Sequence, residues 1–143
     1  MQLLSSTSIA LLTSLATAIP VNPLSFKRAT TPNTTTWPVS NFTVGCSPAA
    51  CVYNFSVWRA SGPSNPGFNT TCIGDDATSD YQACGDETVY ARIVPETGVW
   101  QVDVRHKYAT DQSGGFIEAW ANGTVDDSTK AFAVTVYQTV GAE

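Results

Sequence analysis

The chain has 143 residues, 43% hydrophobic and 13% charged, with four cysteines, one histidine and a formal charge of −5. That length suits one domain, and an acidic surface repels phosphate backbones and anionic headgroups, which sets aside nucleic acid and membrane as partners. Every acidic residue lies at or beyond Asp75.

Residues Ile9 to Ile19 form an apolar run that ends in small residues. Ala16 and Ala18 fall at the two small-residue positions of a signal-peptidase site, so residues 1–18 read as a signal peptide cut after Ala18. No Lys or Arg precedes the run, and it is shorter than the roughly 20 apolar residues of a membrane span. Lys27-Arg28 follows in a polar, Pro-containing stretch open to proteases, and matches a dibasic processing site ending a pro-segment, residues 19–28. Cleavage after Arg28 would leave 115 of the 143 residues, and with two of seven bases gone against 12 acids the formal charge would move to −7. Ala29 to Thr36 is a Thr-rich arm expected to be flexible.

A single β-domain is expected over residues 37–143. Short alternating runs separated by Gly, Pro, Asn and Asp predict strands at Trp37–Val44, Val52–Arg59, Phe68–Ile73, Thr88–Val94, Val99–Lys107, Phe116–Asn122 and Ala131–Thr139. Tyr53, Phe55 and Val57 are expected inward, as are Trp100, Val102 and Val104. Pro95-Glu-Thr-Gly98 predicts a tight hairpin, and Asp111-Gln-Ser-Gly-Gly115 a glycine-rich turn. About seven or more short strands define an all-β fold, a small antiparallel β-barrel or β-sandwich.

Four cysteines behind a signal peptide read as two disulfides. Three pairings are open, and the sequence-local one is favoured: Cys46 with Cys51 across a short Pro-containing turn, and Cys72 with Cys84 around a loop. These closures are worth about 2 and about 3 kcal/mol on a chain-entropy model. A zinc site lacks paired ligand spacing, and His106 is remote, so no metal is expected. Asn33, Asn41, Asn54, Asn69 and Asn122 each begin an Asn-x-Ser/Thr sequon and are candidate N-glycosylation sites. Asn122, in an Asn-Gly dipeptide, is expected in an accessible turn.

Four fragments in order, Trp37-Pro-Val-Ser-Asn-Phe42, Tyr53-Asn-Phe-Ser-Val57, Phe68-Asn-Thr-Thr-Cys72 and Tyr81-Gln-Ala-Cys-Gly85, resemble the family of small secreted fungal proteins typified by the Alternaria major allergen, the AA-one-like domain family. The resemblance implies a β-barrel-like domain, secreted or held at the cell wall, among allergens and elicitors of plant defence. It also implies a Cys72–Cys84 disulfide. The family's type member dimerises through an extra N-terminal cysteine and has a second late cysteine pair; this chain has neither and carries Cys46 and Cys51 instead, so a covalent dimer is not expected and any homodimer would be non-covalent.

Catalytic chemistry finds little support. No Gly-x-Ser-x-Gly elbow exists, and a nucleophile system would have to use His106, expected part-buried near a strand end. Glu118, between Phe116 and Trp120 on one strand face, is the one carboxylate in an aromatic setting and the basis of an alternative reading as a small carbohydrate-active enzyme. Asp75-Asp76 and Asp126-Asp127 lack the spacing of a calcium loop and read as solvated turn acids. Trp58 and Trp120 fall on outward faces and, with Glu118, are the candidate contact residues, whereas Trp37 and Trp100 are expected in the core. The expectation is a secreted, non-enzymatic effector- or allergen-like glycoprotein without cofactor, binding an extracellular host protein, glycan or small phenolic. A structural cell-wall protein is the other alternative.

Overall fold

The chain divides into two units, Met1–Pro32 and Asn33–Glu143, and the structure, a computed structural model, describes residues 35–111 and 114–142, all in the second. The expected signal peptide and pro-segment, the expected cleavage points at Ala18 and Arg28, Asn33 and nearly all of the expected Thr-rich arm lie outside the described residues.

The period-2 alternation produces eight strands: β1 (Thr36–Cys46), β2 (Cys51–Arg59), β3 (Phe68–Asp75), β4 (Gln82–Ala83), β5 (Val89–Glu96), β6 (Val99–Ala109), β7 (Phe116–Val125) and β8 (Phe132–Ala142). They form one antiparallel sheet in the order β3-β2-β1-β8-β7-β6-β5-β4. This is chain order taken cyclically, because β8 returns to pair with β1. The result is an up-and-down β-barrel, and of the two architectures open to the sequence it is the barrel that forms.

The remaining edges, β3 and β4, meet at a seam held without a ladder. Cys72–Cys84 bridges it, and the Gly85 N–H donates to Thr71 O at 2.9 Å. The Gln82 amide behaves like a peptide unit: its Oε1 accepts from Asp75 N at 3.2 Å and its Nε2 donates to Asp75 O at 3.0 Å. These groups satisfy edge positions that would otherwise recruit another strand. At the opposite end of β1, Cys46 faces Cys51 in register and the two form the second disulfide. Both sequence-local pairings are therefore present.

Eight strands enclose a volume that side chains fill. Trp37, Phe42, Tyr53, Phe55 and Val57 are buried inside, opposite Val89, Ala91, Val102, Val104 and Ala121. Fully burying each large apolar side chain contributes about 1.5–3 kcal/mol. Tyr53 spans the interior from β2 and donates its hydroxyl to Ala91 O at 3.0 Å. Its phenol is pushed up to about 12 by burial, then by Asp75.

Several local expectations change. β1 contains a bulge between Ser40 and Thr43, where Asn41 adopts φ 54°; Asn tolerates this left-handed geometry, and the extra residue resets the alternation so that Phe42 points inward. Asn122 is not in a turn. It lies within β7, paired with Asp103 on one side and Thr135 on the other, and is half-buried. The following Gly123 serves close approach instead, since a Cβ there would sit 3.0 Å from Ala133 O. The Glu96–Val99 hairpin turns on Gly98, whose φ of 78° is the conformation that glycine supplies freely. Trp100 is only half-buried, packed against the core with its Nε1 donating to Asp127 at 2.7 Å.

His106 differs most from its expected position. β6 continues past it to Ala109, so it is no strand-end residue, and it is 1% exposed inside the barrel. Its ring centroid lies 4.6 Å from that of Phe68 and 4.8 Å from that of Tyr108, with Trp37 beyond. Burial and then the Arg59 cation push its pKa down to about 4, against a smaller opposing pull from Asp86. The ring is thus neutral at pH 7, with Arg59 Nη1 3.5 Å from Nδ1.

Candidate functional site

Side chains that alternate away from the core on β5, β6 and β7 form a continuous outer surface, and their register decides what meets. Tyr90 faces Arg105 and Arg92 faces Asp103 across β5 and β6. Arg105 in turn faces Trp120, and Lys107 faces Glu118, across β6 and β7. Tyr81, just before β4, lies over two of these positions: its ring centroid is 4.6 Å from the Arg92 guanidinium and 4.9 Å from that of Arg105. Arg105 also sits 4.5 Å from the Tyr90 ring, and Lys107 Nζ 4.4 Å from that of Phe116. Each base of β5 and β6 therefore rests on an aromatic ring, a contact worth about 0.5–1 kcal/mol when exposed and more when desolvated.

The carboxylates of this surface are engaged. Asp103 points outward yet is 1% exposed, because Arg92 Nε donates to one oxygen and Gln101 Nε2 to the other, both at 2.7 Å. Arg92 also donates through Nη1 to Ser79 O at 2.9 Å, which ties the seam loop down over the pair. Glu118 points outward as expected for β7, but is not freely solvated: its side chain is 12% exposed and its Oε1 lies 3.1 Å from Arg105 Nε. The Nε–H direction misses that oxygen, so Arg105 Nε is a buried donor without a hydrogen-bond partner. Burial and then the Asp103 charge push the Tyr81 phenol up to about 12. Among the described residues no group of three or more His, Cys, Asp and Glu is placed to hold a metal.

At the rim of this surface Trp120 is half-buried on β7, while Tyr137 and Val140 of β8 are 54% and 38% exposed. Gln138 pairs with Trp120 and Val136 with Ala121, so Tyr137 is the extra residue of a bulge. Trp120, Tyr137 and Val140 occupy neighbouring outward positions of β7 and β8, with Val140 paired to Glu118. Glu118 and Trp120 thus come together. Trp58 does not join them: it is on β2, with β1 and β8 intervening. Asp76 and Asp126 do turn work, Asp76 accepting from Cys51 N at 2.7 Å and Asp126 from the backbone and hydroxyls of Ser128 and Thr129.

A concavity of about 520 Å³ opens between the Gly62–Pro66 loop and Tyr108, Thr110, Asp111 and Ile117. Among the described residues that line it, Asp111 is the one charged group.

Sequence reasoning singled out Glu118 and Trp120 but not Tyr81, Tyr90, Arg92, Arg105 or Tyr137. The shared parity of Tyr90 and Arg92 with Asp103 and Arg105 across the Gly98 hairpin is the signal that could have found the middle of the ladder. Comparison with protein-family models, with curated proteins and with solved structures returned no match. Two disulfides in a β-barrel fit an extracellular protein.

Proposed function

We propose that this chain is a secreted, non-enzymatic fungal protein, allergen- or effector-like, that acts by binding a flat-ringed extracellular ligand, a glycan or small phenolic, on the outer face of β7 and β8. The observation that carries this reading is the pair of outward aromatics, Trp120 and Tyr137, beside the Arg–Tyr contacts of β5 and β6. Aromatic faces with few rotatable bonds bind rings at low entropic cost. The engagement of Asp103 and Glu118 by arginines supports binding over hydrolysis, since a glycosidase needs two carboxyl groups free to flank a bond. The leader-like apolar run, the dibasic pair and the four family-like fragments support export and kinship.

The test is co-sedimentation of the secreted protein with insoluble fungal and plant wall polysaccharides, with fluorescence titration against soluble oligosaccharides and phenolics. Trp120→Ala and Tyr137→Ala should each weaken binding about tenfold, roughly 1.4 kcal/mol. Unchanged binding in both variants would overturn the site. Glycan cleavage that disappears in Glu118→Gln would overturn the non-enzymatic reading.

A further inference from the structure

The outer face of β2 and β3 is built differently from the ladder. Three of the exposed large apolar side chains, Val52, Trp58 and Ile73, share it at 53%, 47% and 60% exposure. Asp75, opposite Val52 at one end, is the only acid on these two strands, and their one base, Arg59, reaches inward to His106. A sheet face charged only at its end and carrying such side chains invites self-association unless something covers it.

The register names the cover. Ser56 pairs with Thr71 at the centre of the face, and Ser56 Oγ lies 3.4 Å from Thr71 Oγ1. On one side Asn54 pairs with Ile73; on the other Asn69 pairs with Trp58. Ser56 and Thr71 are the hydroxyl residues of the Asn54-Phe-Ser56 and Asn69-Thr-Thr71 sequons. Two sequons therefore run antiparallel across from each other, and each places its asparagine directly opposite an exposed apolar side chain. Both asparagines are exposed. A third sequon adjoins them, since Thr43 of Asn41-Phe-Thr43 pairs with Asn54.

We infer that Asn54 and Asn69 carry N-linked glycans whose first sugars lie over Ile73 and Trp58, so that covalent carbohydrate, not a protein partner, covers this face. In each transfer Nδ2 bonds to the anomeric carbon of the first N-acetylglucosamine, and the sugar–phosphate bond of a lipid-pyrophosphate-linked oligosaccharide breaks. The amide gives up one proton and the lipid pyrophosphate leaves. Transfer precedes folding, because the barrel sets Ser56 and Thr71 against each other and extends both segments into strands. Cross-strand neighbours about 5 Å apart put the first sugar within contact of the facing side chain. Trp58 thereby becomes a glycan platform, not a ligand contact.

This inference rests on the export reading, and the experiment separates the two. The full chain is expressed in a yeast secretory host and mapped by glycopeptide mass. Asn54→Gln and Asn69→Gln should each remove one glycan mass. On the folded wild-type protein, an amidase that releases whole glycans should raise acrylamide quenching of Trp58, read as the difference from Trp58→Phe, and increase binding of an apolar dye. An endoglycosidase that leaves the first N-acetylglucosamine should change neither. Secreted protein unmodified at both asparagines, or Trp58 equally quenched in all forms, overturns this inference alone. Chain retained in the cells without glycan overturns export as well.

Discussion

The two outer faces of this barrel solve the same problem by opposite means. On β5 to β7 the outward positions carry Arg92, Arg105, Lys107, Asp103 and Glu118, and these cross-link through aromatic rings and carboxylates into a fixed surface. On β1 to β3 the outward positions carry Asn, Ser, Thr, Val, Ile and Trp, and their side-chain hydrogen bonds are few and long, such as Ser56 to Thr71 at 3.4 Å. A face that satisfies itself contributes to stability; a face that awaits a modification contributes little until it receives one. Removing outward side chains should therefore be costly on one half and nearly free on the other.

Acid should produce the largest contrast, because nearly all titrating groups belong to the second half. His106 has its folded pKa lowered from 6.5 to about 4 by burial, so the unfolded chain takes up the proton first. Its contribution is complete above pH 6.5, is lost as pH falls towards 4 and changes no further below that. The loss is on the order of 3 kcal/mol. Asp86, held below the usual carboxylate range by its Thr88 hydrogen bonds, adds a loss at lower pH still. Urea midpoints from pH 7 to 4 check this, and His106→Phe should flatten the slope between pH 6.5 and 4.

Cutting the link between the halves comes next. Cys72→Ser with Cys84→Ser should lower stability by about 3 kcal/mol on the chain-entropy model, seen as a fall in thermal midpoint; reductant, which also opens Cys46–Cys51, should lower the wild type further. On the charged face, Arg92→Leu leaves Asp103 buried with one donor fewer. Because Arg92 is itself a third exposed, the expected cost is about 2 kcal/mol, below that of a fully buried broken pair. In unglycosylated protein, Trp58→Thr should change stability by no more than about 0.5 kcal/mol. A large loss there would show that the neutral face supports the barrel after all.

Much of this architecture was legible before any coordinates. Seven strands announce themselves because a half-buried strand must alternate, as Tyr53, Phe55 and Val57 do on β2 and Trp100, Val102 and Val104 on β6. β4 escaped because two residues have no period; its place is set by Cys84 and by Gln82 imitating a peptide group. The bulges at Asn41 and Tyr137 escaped because each shifts the alternation by one, which sequence alone reads as noise. His106 was misplaced for a different reason. It was expected part-buried at the end of a strand, whereas β6 runs on to Ala109 and a neutral imidazole among Trp37, Phe68 and Tyr108 fills the core as an aromatic would. Of the candidate site, Glu118 and Trp120 could be read from β7, but Tyr81 could not, since it reaches the ladder from irregular chain that only the seam positions.

That seam has a consequence for durability outside a cell. The segment from Asp76 to Tyr81 belongs to no ladder, and residues Ala77 to Asp80 are exposed, so it is the natural place for a protease to nick. A cut there would divide the chain but not the molecule: Cys72 and Cys84 lie on either side of it, and β1 with β8 still joins the two pieces elsewhere. The nicked protein would travel as one particle and come apart only where thiols are plentiful.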